Sequence, residues 1–244
     1  MRSVSIIIPV FNKWQLTEAC LRSLYRHAPG DVFEVIVIDN ASDDATKTEL
    51  AALGKELFGE RFTALRNDEN KNFAGACNRG ALAARYPVLF FLNNDTVLLP
   101  GWDAPLLDAL ERDRPPPAVG PLLVSADATV RHLGAAVGPA TATPPLYTGL
   151  PGGHPLAMRR RSLRFITAAA LRIRGEAFFA AGMFHEGYVN GLEDVELCYR
   201  LKQAGHTLSV IPDSRVRHLE GMTRGRSPAP SGNAALLRER CPGI

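Results

Sequence analysis

The chain has 244 residues, 46% of them hydrophobic and 22% charged. That is an ordinary globular composition, with room for one large α/β domain or two small ones. The formal net charge of +3 provides no overall field for nucleic acid, and no apolar stretch reaches the ~20 residues of a membrane span.

The chain enters an apolar strand at once, without a signal-peptide layout, and shows no internal repeat. Cys20, Cys77, Cys198 and Cys241 lack close pairing or metal-type spacing, so thiols of a reducing, cytoplasmic setting are expected, the first three buried. Val4-Ser5-Ile6-Ile7-Ile8-Pro9 reads as a buried strand. A helix follows from 14 to 27. A second strand, 33–38, ends at Asp39, and Ala41-Ser42-Asp43-Asp44 turns into a helix over 45–58. Residues 62–66 form a third strand. The helix over 72–84 is rich in Gly75, Ala76, Gly80, Ala81 and Ala84, small enough for the backbone to approach a sheet or a ligand closely.

Val88-Leu89-Phe90-Phe91-Leu92 is the central strand, apolar without a break and then abruptly Asn93-Asn94-Asp95-Thr96. Alternating strands and helices give an α/β fold with a mostly parallel, doubly wound sheet and helices on both faces, its first part a Rossmann-like nucleotide-binding half. Ligands of such sheets gather beyond the carboxyl ends of the strands. Asp95 therefore stands either in a cation site or in a plain turn that caps the next helix. No Gly-x-Gly-x-x-Gly and no Walker lysine loop is present, which weakens the dehydrogenase and P-loop alternatives.

Further on, a helix over 100–111 and strands over 118–124 and 130–137 are expected. Residues 138–155, rich in Pro, Gly and Thr, read as a long surface loop. An extended stretch over 163–174 and a short helix over 176–181 come next. From Glu193 a helix runs to the stop at Gly205, with Glu193 and Asp194 in its first turn, where the helix dipole favours negative charge. Strands over 206–211 and 215–218 end in His218, and the polar residues from 221 onward are expected to fray.

Five stretches, Ile8-Pro9-Val10-Phe11-Asn12, Val37-Ile38-Asp39-Asn40-Ala41-Ser42, residues 72–80, Leu92-Asn93-Asn94-Asp95-Thr96, and Glu193-Asp194-Val195-Glu196-Leu197-Cys198 followed by His218, occur in an order that resembles the bacterial family-2 glycosyltransferases of GT-A fold. The rhamnosyltransferase-like, O-antigen-type branch is the nearest in appearance. The resemblance implies one domain over 1–226, with a nucleotide-sugar-binding half (1–98), an acceptor and catalytic half (99–226), and a polar tail (227–244).

It also implies roles. Asp95 and His218 would hold a divalent cation, Mn²⁺ or Mg²⁺. Asn93 stands where the family's Asp-x-Asp motif has its first aspartate, so it brings hydrogen bonds but no charge. Pro9, Val10, Asn12, Asp39, Asn78, Asn93, Asn94, Asp95 and Arg224 would bind a UDP- or dTDP-sugar, with Asn78 facing the nucleotide pocket. Asp194 would be the general base of an inverting transfer, and Glu193 would orient it or the acceptor. The acceptor would be a glycan or lipid-linked glycan of cell-surface polysaccharide assembly, met at the cytoplasmic face of the membrane. There Arg159, Arg160, Arg161 and Arg164 would face anionic lipid, without nucleic acid as a partner. Two alternatives remain: a sugar nucleotidyltransferase, disfavoured because 10–14 holds no glycine, and a non-catalytic nucleotide-sugar-binding module, supported only by Asn93.

Overall fold

The computed structural model describes residues 3–30, 32–111, 115–136, 144–219 and 231–244. Strands β1 (Ser3–Val10), β2 (Val32–Asp39), β3 (Phe62–Arg66) and β4 (Val88–Leu92) are parallel neighbours in the order β3-β2-β1-β4. The same sheet continues through β9 (Ala170–Arg174), β6 (Ala118–Val124), β10 (Leu208–His218) and β5 (Thr96–Leu98). Because β9 runs against both β4 and β6, and β10 runs with β6, six strands share one direction while β9 and β5 oppose it. Two short strands, β7 (Val130–His132) and β8 (Arg161–Leu163), pair with β6 and β10.

The uninterrupted apolar runs are explained by burial on both faces. Ile6, Ile8, Val35, Val37 and Phe90 face helices α1 (Trp14–Arg26), α2 (Thr46–Phe58) and α4 (Ala104–Leu110). Ile7, Ile36, Ile38, Leu89 and Phe91 face the other layer, built from α3 (Asn72–Leu82), α6 (Gly175–Ala180), α7 (Glu193–Gln203) and α8 (Ser231–Arg240). A one-turn helix, α5 (Pro155–Met158), lies beside β10. The small residues of α3 serve the sheet: a Cβ at Gly80 would lie 2.5 Å from Ile7 Cγ2 and 2.6 Å from Ile38 Cδ1.

The sheet is curled. Only Asn93, Asn94 and Asp95 separate β4 from β5, a reach of about 14 Å for extended chain. Four strand spacings of about 4.8 Å would separate them in a flat sheet. The curl returns the last strand to the end of the fourth, and both expected halves share one sheet.

Four expectations change. Residues 163–174 are not one extended stretch, since β8 ends at Leu163 and β9 starts at Ala170. The two last strands are a single β10 with a register shift between Ile211 and Arg215, a bulge placed where Pro212 cannot donate to the ladder. The described part of the 138–155 loop is stitched to the β7 region by Leu146 N to Gly134 O (2.9 Å), Val130 N to Leu150 O (2.7 Å) and Gly152 N to Ala128 O (2.9 Å). Residues 231–240 do not fray; they form α8, which buries Leu237, with Cys241 buried just beyond it. All four thiols are free and buried.

Candidate active site at the carboxyl edge of the sheet

Val10, Asp39, Arg66, Leu92 and His218 end five strands of common direction, so they share one edge. His218 also faces Thr96 across the β5–β10 ladder. That register, with Leu219 N donating to Asp95 O at 2.8 Å, brings His218 Nε2 to 3.1 Å from Asp95 Oδ1. The Asn93–Thr96 turn sits on α1. Asn94 Nδ2 donates to Thr17 Oγ1 at 2.9 Å, and Cys20 Sγ lies 3.7 Å from both Asn93 O and Thr96 Oγ1. Burial, with added repulsion from Asp95, pushes the Cys20 thiol up to about 12. The buried Oδ1 of Asn93 has no hydrogen-bond partner among the described residues, an exception to the usual pairing of buried polar atoms.

A second cluster surrounds Asp39. Its Oδ1 accepts from Ser42 N at 2.8 Å, and its Oδ2 accepts from Arg66 Nη1. Arg66 Nη2 also donates to Ser42 O at 2.8 Å. Asp39 and Arg66 are register partners of β2 and β3, so parallel alignment alone creates the pair. Asn40 ties the edge together, accepting from Asn67 Nδ2 (2.8 Å) and Lys71 N (2.9 Å) while its N donates to Val10 O (2.7 Å). Asn12 N donates to Ser42 Oγ at 2.8 Å, and Asn12 Oδ1 accepts from Asp43 N at 2.8 Å. Asn12, Lys13 and Ala41 all have positive φ (56°, 61° and 67°), backbone that persists only where neighbours hold it. Pro9 is half-buried and Val10 buried, while Phe11 is 47% exposed.

Asp194 reaches the same edge from α7. Its Oδ2 accepts from Ala168 N at 3.1 Å, and the next residue, Ala169, accepts from Asn93 N at 2.9 Å. One side-chain and one backbone hydrogen bond, made by the adjacent residues Ala168 and Ala169, therefore tie Asp194 to the Asn93–Asp95 run. Glu193 is buried and accepts from Gly191 N at 2.5 Å; its charge adds to the burial that raises the Cys77 thiol.

Two expected ligands have other employment. Asn78, expected to face a nucleotide, spends its amide within the protein: its Nδ2 donates to Phe184 O (2.8 Å) and Glu186 Oε1 (2.9 Å), and its Oδ1 accepts from Phe184 N (3.1 Å). Asn94 commits its amide donor to α1. Arg224 lies outside the described residues. Arg66 was not singled out from the sequence, although the register of the two strand ends contained it. The Arg159–Arg164 group is partly engaged within the protein, with Arg160 bonded to Asp213 at 2.7 Å and Arg161 stacked 4.7 Å from the Tyr147 ring centroid. No helix among the described residues is long and apolar enough to cross a membrane.

A family model described as glycosyl transferase family 2 matches residues 5–132, just over half of the chain. The chain is 30% identical to the O-antigen biosynthesis protein RfbC of Myxococcus xanthus, over 94% of this chain and 18% of that protein. It is 28% identical to the uncharacterized protein y4gI of Sinorhizobium fredii, over 97% of this chain and 26% of the other. Among solved structures, GalNAc-T7 with UDP, GalNAc and Mn²⁺ superposes with a TM-score of 0.79 at 21% identity, covering 97% of this chain and 48% of that one. The mannosyltransferase PcManGT from Pyrobaculum calidifontis, with GDP-Man and Mn²⁺, gives 0.65 at 17% identity, covering 91% and 58%. The chain thus spans about a quarter or less of these curated relatives and about half of the solved chains.

Proposed function

The chain belongs to glycosyltransferase family 2 and has the GT-A fold, and on that premise we propose that it moves a sugar from a nucleotide-diphospho-sugar to a hydroxyl acceptor, with inversion at the anomeric carbon. The observation that carries this reading is the approach of His218 to Asp95 at the carboxyl edge, beside the unpartnered side-chain oxygen of Asn93 and the Asp194 carboxylate, which is tied to that edge through Ala168 and Ala169.

Asp95 and His218 offer one carboxylate and one imidazole, a donor pair that suits Mn²⁺ or Mg²⁺ once diphosphate oxygens complete the shell. Such a cation would neutralise the charge that develops on the leaving diphosphate. Within the chain, Asp39 and Asn12, with the backbone of Pro9 and Val10, border the nucleotide. Phe11 offers an aromatic face to the base, since stacking needs only a π surface. Asn93 Oδ1 accepts from a ribose or sugar hydroxyl. Arg224 remains a candidate diphosphate ligand.

Asp194 takes the proton from the acceptor hydroxyl as that oxygen bonds to the anomeric carbon, while the bond to the diphosphate oxygen breaks on the opposite face. It stands in the first turn of α7, where the helix dipole favours negative charge. Glu193, bonded to Gly191 N, fixes the turn from which Asp194 projects.

The relative named for O-antigen biosynthesis supports a place in cell-surface polysaccharide assembly, at the cytoplasmic face and on a glycan or lipid-linked acceptor. Contact with anionic lipid through Arg159, Arg160, Arg161 and Arg164 belongs to the same reading. Vesicle co-sedimentation that survives their replacement by glutamine contradicts it. The reaction itself is tested by incubating the protein with UDP-, dTDP- and GDP-sugars, Mn²⁺ and a panel of glycan acceptors. The expected result is nucleoside diphosphate release that depends on acceptor, and a product of inverted anomeric configuration by NMR. Binding of a nucleotide sugar with no release under any condition would instead identify a non-catalytic module.

A further inference from the structure

The loop over 187–192 leads directly into Glu193 and Asp194, and its backbone is strained. Asn190, Gly191 and Leu192 have φ of 47°, 143° and 74°. Three consecutive residues of this kind, two of them not glycine, persist only where surrounding groups over-determine them. One holding contact comes from α3, where Phe73 N donates to Asn190 Oδ1 at 2.9 Å. A second is local, from Gly191 N to Glu193 Oε2 at 2.5 Å, and the rest come from α8, more than forty positions along the chain. Asn233, 3% exposed, accepts from Val189 N at 3.0 Å and donates to Val189 O at 3.0 Å and Gly191 O at 2.7 Å. Its side chain thus supplies hydrogen bonds that the loop backbone would otherwise seek from a neighbouring strand.

A second grip lies on α7 itself. Arg240 Nε is 2.8 Å from Glu196 Oε1, and Arg200 Nη2 is 3.0 Å from Glu196 Oε2. Glu196 is 1% exposed and stands in the first turn of α7, two residues after Asp194. By contrast, α8 is fastened to the core by Leu237 and by Cys241 just beyond it. The polar groups of Asn233 are spent on the loop. Both grips end at the residues that deliver Asp194.

We propose that α8 is the positioning element of the acceptor half of the reaction: Asn233 sets the strained 187–192 loop, Arg240 sets the first turn of α7, and together they aim Asp194. Neither residue touches substrate, and both act through α7. The inference rests on the transferase reading for its catalytic consequence and on the loop geometry alone for its structural part.

The two parts are tested on the full chain with Asn233→Ala and, as a second variant on a different contact, Arg240→Gln. Hydrogen–deuterium exchange is expected to speed up at the amides of 189–195 in both variants, and to stay unchanged at 95–98. With the nucleotide sugar that the wild-type protein turns over, kcat is expected to fall at least tenfold. The donor KM and the calorimetric Kd for the matching nucleoside diphosphate with Mn²⁺ should stay within twofold. A merely structural role would move thermal stability and donor affinity together. Unchanged kcat despite faster loop exchange overturns the positioning role, as does a fall in kcat matched by lost nucleotide affinity. If the wild-type protein turns over no nucleotide sugar, the transferase reading is what fails. Exchange then decides whether α8 sets the loop, and unaltered exchange at 189–195 overturns that.

Discussion

His218 Nε2 stands 3.1 Å from Asp95 Oδ1 although 123 positions separate them in the chain. The contact depends on the curl of the sheet, which sets β5 against the end of β10. If the pair holds a cation, each side chain contributes to it separately. His218→Ala is expected to weaken Mn²⁺-dependent binding of nucleoside diphosphate by about tenfold or more, equivalent to about 1.4 kcal/mol, with a smaller change in Mg²⁺ because imidazole favours the softer ion. Titration calorimetry in the two metals checks it, and equal losses in both would argue against direct ligation.

Asp194→Asn keeps the shape of the side chain and its acceptor for Ala168 N but removes the base. Turnover is expected to fall by about 10²- to 10⁴-fold while nucleotide affinity stays at its wild-type value. A loss of nucleotide binding would move Asp194 from the acceptor side to the donor side.

Asp44 joins two helix starts, accepting from Trp14 N at 3.0 Å and from Thr46 N at 2.9 Å. Burial alone would raise its carboxyl, but hydrogen bonds from Thr46, Trp14 and Lys13 outweigh this and hold it below the ordinary 3.8. The fold thus favours the charged form. Its contribution is complete above the unfolded value near 3.8 and is lost as pH falls through the lower folded value. Asp44→Ala is expected to cost about 1–2 kcal/mol at pH 7, and the gap from wild type should narrow in denaturant titrations below pH 3.8.

Gly80→Ala drives a methyl group into Ile7 and Ile38, which cannot both retreat within a packed sheet. A loss of about 1–3 kcal/mol is expected, read from the denaturation midpoint, with nucleotide binding preserved in the folded fraction.

The strand ends were legible because Leu92 and Ile38 close apolar runs against polar turns, and a parallel sheet brings such ends to one edge. The direction of β9 was not legible, since an apolar run looks the same either way round. Nor was the break over 164–169, which carries Ala168 and Ala169 to the site. Pro212 and Asp213 resemble a turn, yet in the structure they form the bulge of a single strand. The helix α8 escaped notice because its composition is polar and Pro228 and Pro230 precede it; its inward side chains, Asn233 and Leu237, are too few to set a clear period. Asn78 and Asn94 show the limit of motif reading. Each belongs to a stretch that borders the site, and each spends its amide on holding the scaffold. The pairing of Asp39 with Arg66, conversely, followed from register and needed only the two strand ends to be aligned.

The most direct measurement is calorimetric titration of UDP, dTDP and GDP into the wild-type protein and Asp95→Ala, each with Mn²⁺ and with EDTA. The account predicts that one nucleotide binds tightly only when both the metal and Asp95 are present, and that nucleotide names the donor class. Binding that is indifferent to EDTA and to the substitution would remove Asp95 and His218 as metal ligands, and no binding of any nucleotide would contradict the transferase reading itself.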